Sequence, residues 1–186
     1  MSLPQDHLIK LEEFYKMREK TDKLMEFIDG TVFMTPSPST KHQRVSGRIF
    51  AKLFNFLEGK TCEVFHAPFD IELHRENMEG NKIIIPDLSV IGDKSGLTEN
   101  RYVGVPSIIM EILSPSNQSH DLVFKLNLYM QYGVKEYWII NPMLNTFQVY
   151  VLDSEGQYQQ LDVLKQTGIL KSAVLEGFEI SLEEIF

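Results

Sequence analysis

Apolar positions recur at helical spacing in three stretches of this chain, and alternate or run together in several shorter ones. From Asp6 to about Lys20, Leu8, Leu11 and Phe14 or Tyr15 form one stripe, which predicts an amphipathic helix. Leu24 to Met34 predicts a β-hairpin, because Asp29-Gly30 is a turn pair that tolerates positive φ. The segment Pro36-Ser37-Pro38-Ser39-Thr40 breaks the pattern and offers hydroxyl caps to a second helix from about Lys41 to Leu57. That helix is carried by Val45, Ile49, Leu53 and Phe56. Strands are expected near Glu63 to Leu73, Ile83 to Ile91 and Ser107 to Leu113. A third helix follows from about Ser119 to Tyr132, and Gly133 ends it. Strands near Glu136 to Ile140, Thr146 to Leu152 and Tyr158 to Leu164 follow, with a turn at Glu155-Gly156 and a short helix at the final segment with Leu182 and Phe186. This order predicts an α/β fold: a mixed, partly antiparallel sheet flanked by helices, with an added N-terminal β-hairpin.

Two of these strands carry a charge that their surroundings do not call for. In IIIPDLSVI, residues of both parities are apolar, which fits a strand buried on both faces. Asp87 interrupts it, directly after Pro86, which cannot donate to a ladder and marks a bulge or an edge. In SIIMEILSP, Glu111 sits among Ile108, Ile109, Met110, Ile112 and Leu113. A buried carboxylate needs a cationic partner, a metal or a proton. Either residue alone reads best as a structural ion pair. Both together, on strands expected to be neighbours, point toward a divalent-cation site.

The third helix adds a lysine among apolar residues. Asp121, Leu122, Lys125, Tyr129 and Tyr132 share one side, and Val123, Leu126 and Met130 share the other. Such a helix is expected to be buried on several sides, with a homodimer contact or the second helix covering what the sheet does not. Lys125 either pairs with Asp121 one turn earlier or reaches into the carboxylate site.

Composition bounds the remaining possibilities. The chain has 186 residues, of which 43% are hydrophobic and 24% charged, as for one globular domain over residues 1–186 with residues 1–23 as a helical extension. No apolar run is long enough to span a bilayer, the first residues lack the pattern of a secretory signal, and Cys62 is the only cysteine. These features are those of a cytoplasmic protein with no membrane partner. A net charge of −8 disfavours a polyanionic partner unless basic residues cluster locally. One cluster does: Lys41, Arg44, Arg48 and Lys52 fall on one stripe of the second helix, a surface for phosphate contact or simply a solvated face. His42 points toward the apolar side and reads as a hydrogen-bonded core histidine. Gly-rich phosphate loops, a GxSxG elbow and zinc-type Cys or His spacings are all missing.

The stretches MEFIDGTVFMTPSP, the helix beginning KHQ, IIIPDLSVIG, PSIIMEILSPSNQSHDLVFKLNLYMQYGVKEYWIINP and SAVLEGFEISLEEIF together run from about residue 24 to the C-terminus. In them the chain resembles the Uma-two family of restriction-endonuclease-like proteins, in the PD-(D/E)XK nuclease superfamily. The PD element, the EILSPS segment, the D-x-x-x-K-x-x-x-Y helix and GVKEYWI carry the resemblance. It implies a Mg²⁺- (or Mn²⁺-) dependent endonuclease that hydrolyses phosphodiester bonds of nucleic acid, with DNA the expected substrate. Asp87 and Glu111 would be its catalytic and metal-binding carboxylates. The sequence departs from the superfamily at Leu113, where the pattern has Lys, and strand periodicity puts Leu113 on the same face as Glu111. Lys125 occupies the family's helix-lysine position and would supply the amine, with Glu26 and His42 lining the site. The alternative is a catalytically silent, dimeric relative that binds nucleic acid or protein through the same fold.

Overall fold

A computed structural model describes residues 8–34, 37–114 and 120–186, with the backbone alone at 120–122. The first helix, α1 (Leu11–Arg18), is shorter than its apolar stripe suggests, and it buries Phe14. The hairpin of β1 (Met25–Ile28) and β2 (Thr31–Met34) forms as expected. Its turn holds Asp29 at φ 47° and Gly30 at φ 92°, the left-handed region that this turn type requires. Helix α2 (Thr40–Leu57) starts at Ser39, whose Oγ accepts the His42 N–H at 3.2 Å. It buries Val45, Ile49, Leu53 and Leu57.

Two expected strands divide, and both divisions send the chain from one sheet to another. Glu63 to Leu73 becomes β3 (Glu63–His66) and β4 (Asp70–Leu73), separated by a cis Ala67–Pro68 bond. Ile83 to Ile91 becomes β5 (Lys82–Ile84) and β6 (Leu88–Ile91), because Pro86 has no N–H to continue a ladder. Strand β7 (Arg101–Gly104) is not expected from the sequence; its Arg101 and the exposed residues 98–100 before it lack strand periodicity. Strand β8 (Ile108–Ile112) precedes a stretch at 115–119 outside the described residues.

The third helix is also divided. His120–Lys125 is π-helical and only Leu126–Tyr132 (α3) is α-helical, ending at Gly133 with φ 86°. Within the single chain Val123 and Phe124 are 64% and 41% exposed, so the sheet and α2 do not cover every apolar side of this segment. Strands β9 (Glu136–Asn141), β10 (Thr146–Leu152) and β11 (Tyr158–Lys165) follow as expected. Before the last turn, Leu182–Glu184, the short pair β12 (Ile169–Lys171) and β13 (Glu179–Ser181) forms where no strand was expected.

The five-stranded sheet has the order β2-β1-β5-β4-β7, the six-stranded sheet β11-β10-β9-β8-β6-β3, and β12-β13 forms a third, two-stranded sheet. Pairing is antiparallel except for β4 with β7 and β8 with β9. The central strand β8 shows why the larger sheet is buried on both faces. Ile108, Met110 and Ile112 pack in one cluster with α2, while Ile109 and Leu113 pack in a second with Leu128, Tyr129 and Tyr132 of α3. Glu111 has the parity of the second set, so it faces α3. Among the described residues no helix is long and apolar enough to cross a membrane.

Candidate active site

The chain between β5 and β6, Ile85-Pro86-Asp87, passes from the smaller sheet to the larger one, and the site is built around that passage. Strands β6 and β8 are antiparallel neighbours with Leu88 opposite Met110. Continuing that register by one residue places Asp87 across from Glu111. The two strands that carry a stray carboxylate are therefore adjacent, with their carboxylates at matching positions.

Side chains replace the ladder that Pro86 interrupts. The Ile85 N–H donates to Glu26 Oε1 at 2.8 Å, and the Ile112 N–H donates to Asp87 Oδ2 at 2.8 Å. Asp87 Oδ1 faces His42 Nε2 at 3.1 Å, so the first turn of α2 is tied to the PD element. Glu26 and Glu111 are nearly inaccessible, whereas Asp87 is only part-buried.

Lys125 projects from the last π-helical position into this acidic group. Its Nζ lies 2.9 Å from Glu111 Oε1 and 3.1 Å from Glu26 Oε1, and only 4% of the residue is exposed. The proposed pairing with Asp121 falls on a side chain outside the described residues. Two carboxylates sharing one ammonium compensate a charge that would otherwise be costly to bury. Tyr129, one turn later and fully buried, donates to the same Glu111 Oε1 at 2.7 Å. Burial pushes its hydroxyl well above the usual phenol range, and the Glu111 and Glu26 carboxylates push it further, so it stays protonated as a donor. Tyr129 was not singled out as a site residue from the sequence, although its spacing from Lys125 put both on one helix side. Leu113 is 3% exposed and packs in the α3 cluster, with no amine at the position where the superfamily has one.

Among the described residues no three His, Cys, Asp or Glu side chains group to hold a metal ion. Mg²⁺ commonly rests on one or two carboxylates and completes its shell with water and substrate oxygens, a demand that Asp87 and Glu111 fit by chemistry.

The basic stripe of α2 is partly engaged within the chain. Lys41 Nζ donates to Asn145 Oδ1 at 3.1 Å, and Lys52 pairs with Glu184 at 2.7 Å. Arg48 Nη1 donates to the carbonyls of Ile185 and Phe186 at 3.1 and 3.0 Å. Arg44 is exposed.

The model of the Uma2 family, described as "Putative restriction endonuclease", matches residues 11–183, and so takes in every site residue above. The chain belongs to the Uma2 family. A protein of Synechocystis sp. named "Uncharacterized protein slr1290" is 23% identical over 148 residues, covering 79% of this chain and 76% of that one. The fold matches the crystal structure of a protein from Anabaena variabilis described as a "putative nuclease belonging to DUF820", with a TM-score of 0.76 at 20% identity. That match covers 96% of this chain and 97% of the other. The restriction-endonuclease-like mixed sheet expected from the sequence is thus the fold of this Uma2 chain.

Proposed function

We propose that this Uma2 protein is a Mg²⁺- or Mn²⁺-dependent endonuclease that hydrolyses phosphodiester bonds of DNA. The observation that carries the reading is Lys125, an ammonium buried between Glu26 and Glu111 beside the strand that bears Asp87. Asp87 and Glu111 would hold the cation. When bound, such an ion neutralises the scissile phosphate and makes a nearby water more acidic.

The chain's own residues supply the rest. Glu26 and Tyr129 fix the positions of Lys125 and Glu111, respectively. Lys125 orients the attacking water and offsets negative charge that grows on the phosphate oxygens. In this reading it takes over from the amine that Leu113 leaves out. His42 holds Asp87 in place from α2.

The silent-relative reading is favoured by Leu113 in place of the usual Lys, by the net charge of −8 and by Asp87, both of whose oxygens already have protein partners, His42 and the Ile112 N–H. A calorimetric titration with Mn²⁺, run beside a DNA cleavage assay in Mg²⁺ and Mn²⁺, separates the two. The native protein is expected to bind Mn²⁺ and cut DNA, and Asp87→Asn or Glu111→Gln to lose both. Absence of heat and of cleavage at saturating Mn²⁺ would overturn the nuclease reading in favour of the silent one.

A further inference from the structure

The acidic cluster with its lysine has an aromatic border that the hydrolytic mechanism does not use. Phe33 lies directly across the β1–β2 hairpin from Glu26, and directly opposed residues project from the same face of a sheet. Phe124 immediately precedes Lys125 in the π-helical segment. The two rings meet with centroids 5.9 Å apart and planes inclined at 38°. Each ring therefore adjoins a residue that binds the lysine ammonium or carries it.

Phe124 is nevertheless 41% exposed, whereas Tyr129, which bonds Glu111, is fully buried. Among the described residues, the hairpin strand β2 that carries Phe33 is the outermost strand of its sheet. An exposed ring costs apolar burial that a polar residue at the same place would not forgo. A base has a π-face that stacks on such a ring whatever its sequence.

We propose that Phe124, backed by Phe33, is a stacking platform for an unpaired nucleobase next to the scissile phosphate, and that the substrate is engaged as single-stranded or locally unpaired nucleic acid. The proposal rests on the nuclease reading above, from which it takes the position of the phosphate beside Lys125. Continuity with the Glu26–Lys125–Glu111 group is what selects a base as the occupant. Phe33 shares a sheet face with Glu26 and its ring meets that of Phe124, so the platform adjoins the Glu26–Lys125 pair. Stacking on aromatic side chains also supplies affinity without many phosphate contacts, which suits a chain with a net charge of −8.

The test is binding of a fluorescent single-stranded oligonucleotide in EDTA, so that neither metal loading nor cleavage enters the readout. Phe124→Leu keeps an apolar side chain of similar reach at an exposed position and removes the π-face, while Phe124→Trp keeps it. Loss of stacking on one base is expected to weaken binding by about tenfold in Phe124→Leu, with Phe124→Trp at or above native affinity. A set of oligonucleotides with one abasic position each should contain a position that weakens native binding and leaves Phe124→Leu indifferent. Equal affinity of native and Phe124→Leu proteins would overturn the platform and leave the nuclease reading standing. Failure of the native protein to bind any single-stranded DNA or RNA oligonucleotide would likewise overturn the platform, while the nuclease reading is decided by the cleavage assay with metal. Unchanged oligonucleotide affinity, with a dimer seen by sedimentation in the native protein and absent in Phe124→Leu, would assign the surface to a second copy of the chain instead.

Discussion

Lys125 holds together a group of charges that none of its members could occupy alone. With Lys125→Met the stem volume is kept, but Glu26 and Glu111 face each other across a buried space with no cation between them. Removing one partner of a buried ion pair costs about 3–5 kcal/mol, so a stability loss of that order is expected from urea denaturation at neutral pH. Cleavage should be lost while Mn²⁺ still binds, because Asp87 and Glu111 remain. Native-like activity in Lys125→Met would sink the role given to this lysine. Leu113→Lys in that background returns an amine to the same strand face, against the cost of charging a position where Leu113 packs in the core. Partial recovery of cleavage is the expected outcome.

At the scale of elements, carboxylates satisfy donors that backbone ladders leave open. Glu26 and Asp87 accept the N–H groups at the junction between the sheets, where Pro86 ends the pairing. Glu136 plays a comparable part far from the site. It is fully buried on β9, where its Oε1 accepts from Trp138 at 2.5 Å. Its Oε2 accepts from the Ser172 hydroxyl at 2.8 Å and from the Ala173 and Val174 N–H groups, both at 3.0 Å. The loop that follows β12 is thereby fastened to the main sheet. Burial outweighs these hydrogen bonds and raises its carboxyl above the ordinary glutamate range. A folded-state value above the unfolded one means that Glu136 favours the fold most at low pH and that its contribution falls as pH rises through the raised value. Glu136→Gln keeps the shape but replaces one acceptor by a donor, facing either Trp138 or the loop N–H groups. A loss of about 1–3 kcal/mol is expected from thermal or urea unfolding, with that pH-dependent fall removed. Unfolding curves that coincide with the native protein's would refute the fastening role.

At the scale of the molecule, an acidic protein must meet a polyanion through a limited basic surface. Lys52 and Arg48 are engaged with the last residues of the chain, whereas Arg44 is exposed and Lys41 bonds only an amide oxygen among its described partners. Reversing Lys41 and Arg44 together is therefore expected to leave stability nearly unchanged while weakening DNA binding for all sequences alike. The slope of affinity against salt should fall by about one for each phosphate that the helix no longer neutralises. An unaltered salt slope in the double variant would remove α2 from the interface.

Hydrophobic patterning determined the hairpin, α2, β8 to β11 and the end of α3, because each has a local signal: a positive-φ turn pair, a helical stripe, a buried apolar run or a terminal glycine. It also marked Asp87 and Glu111, since a carboxylate in an apolar strand stands out along the chain itself. What only the tertiary structure decided is what depends on partners distant in sequence. A single apolar run through Pro86 does not tell that its halves belong to different sheets, nor that Glu26 satisfies the N–H at the break. The short strands β7, β12 and β13 are fixed by the ladders they join rather than by their own periodicity. Lys125 has one helical spacing to Asp121 and another to Tyr129, and helix geometry alone leaves both neighbours open. The π-helical turn, the Glu111 strand and the Glu26 hairpin converge on it in space, and the need to compensate a buried ammonium sets its place between two carboxylates.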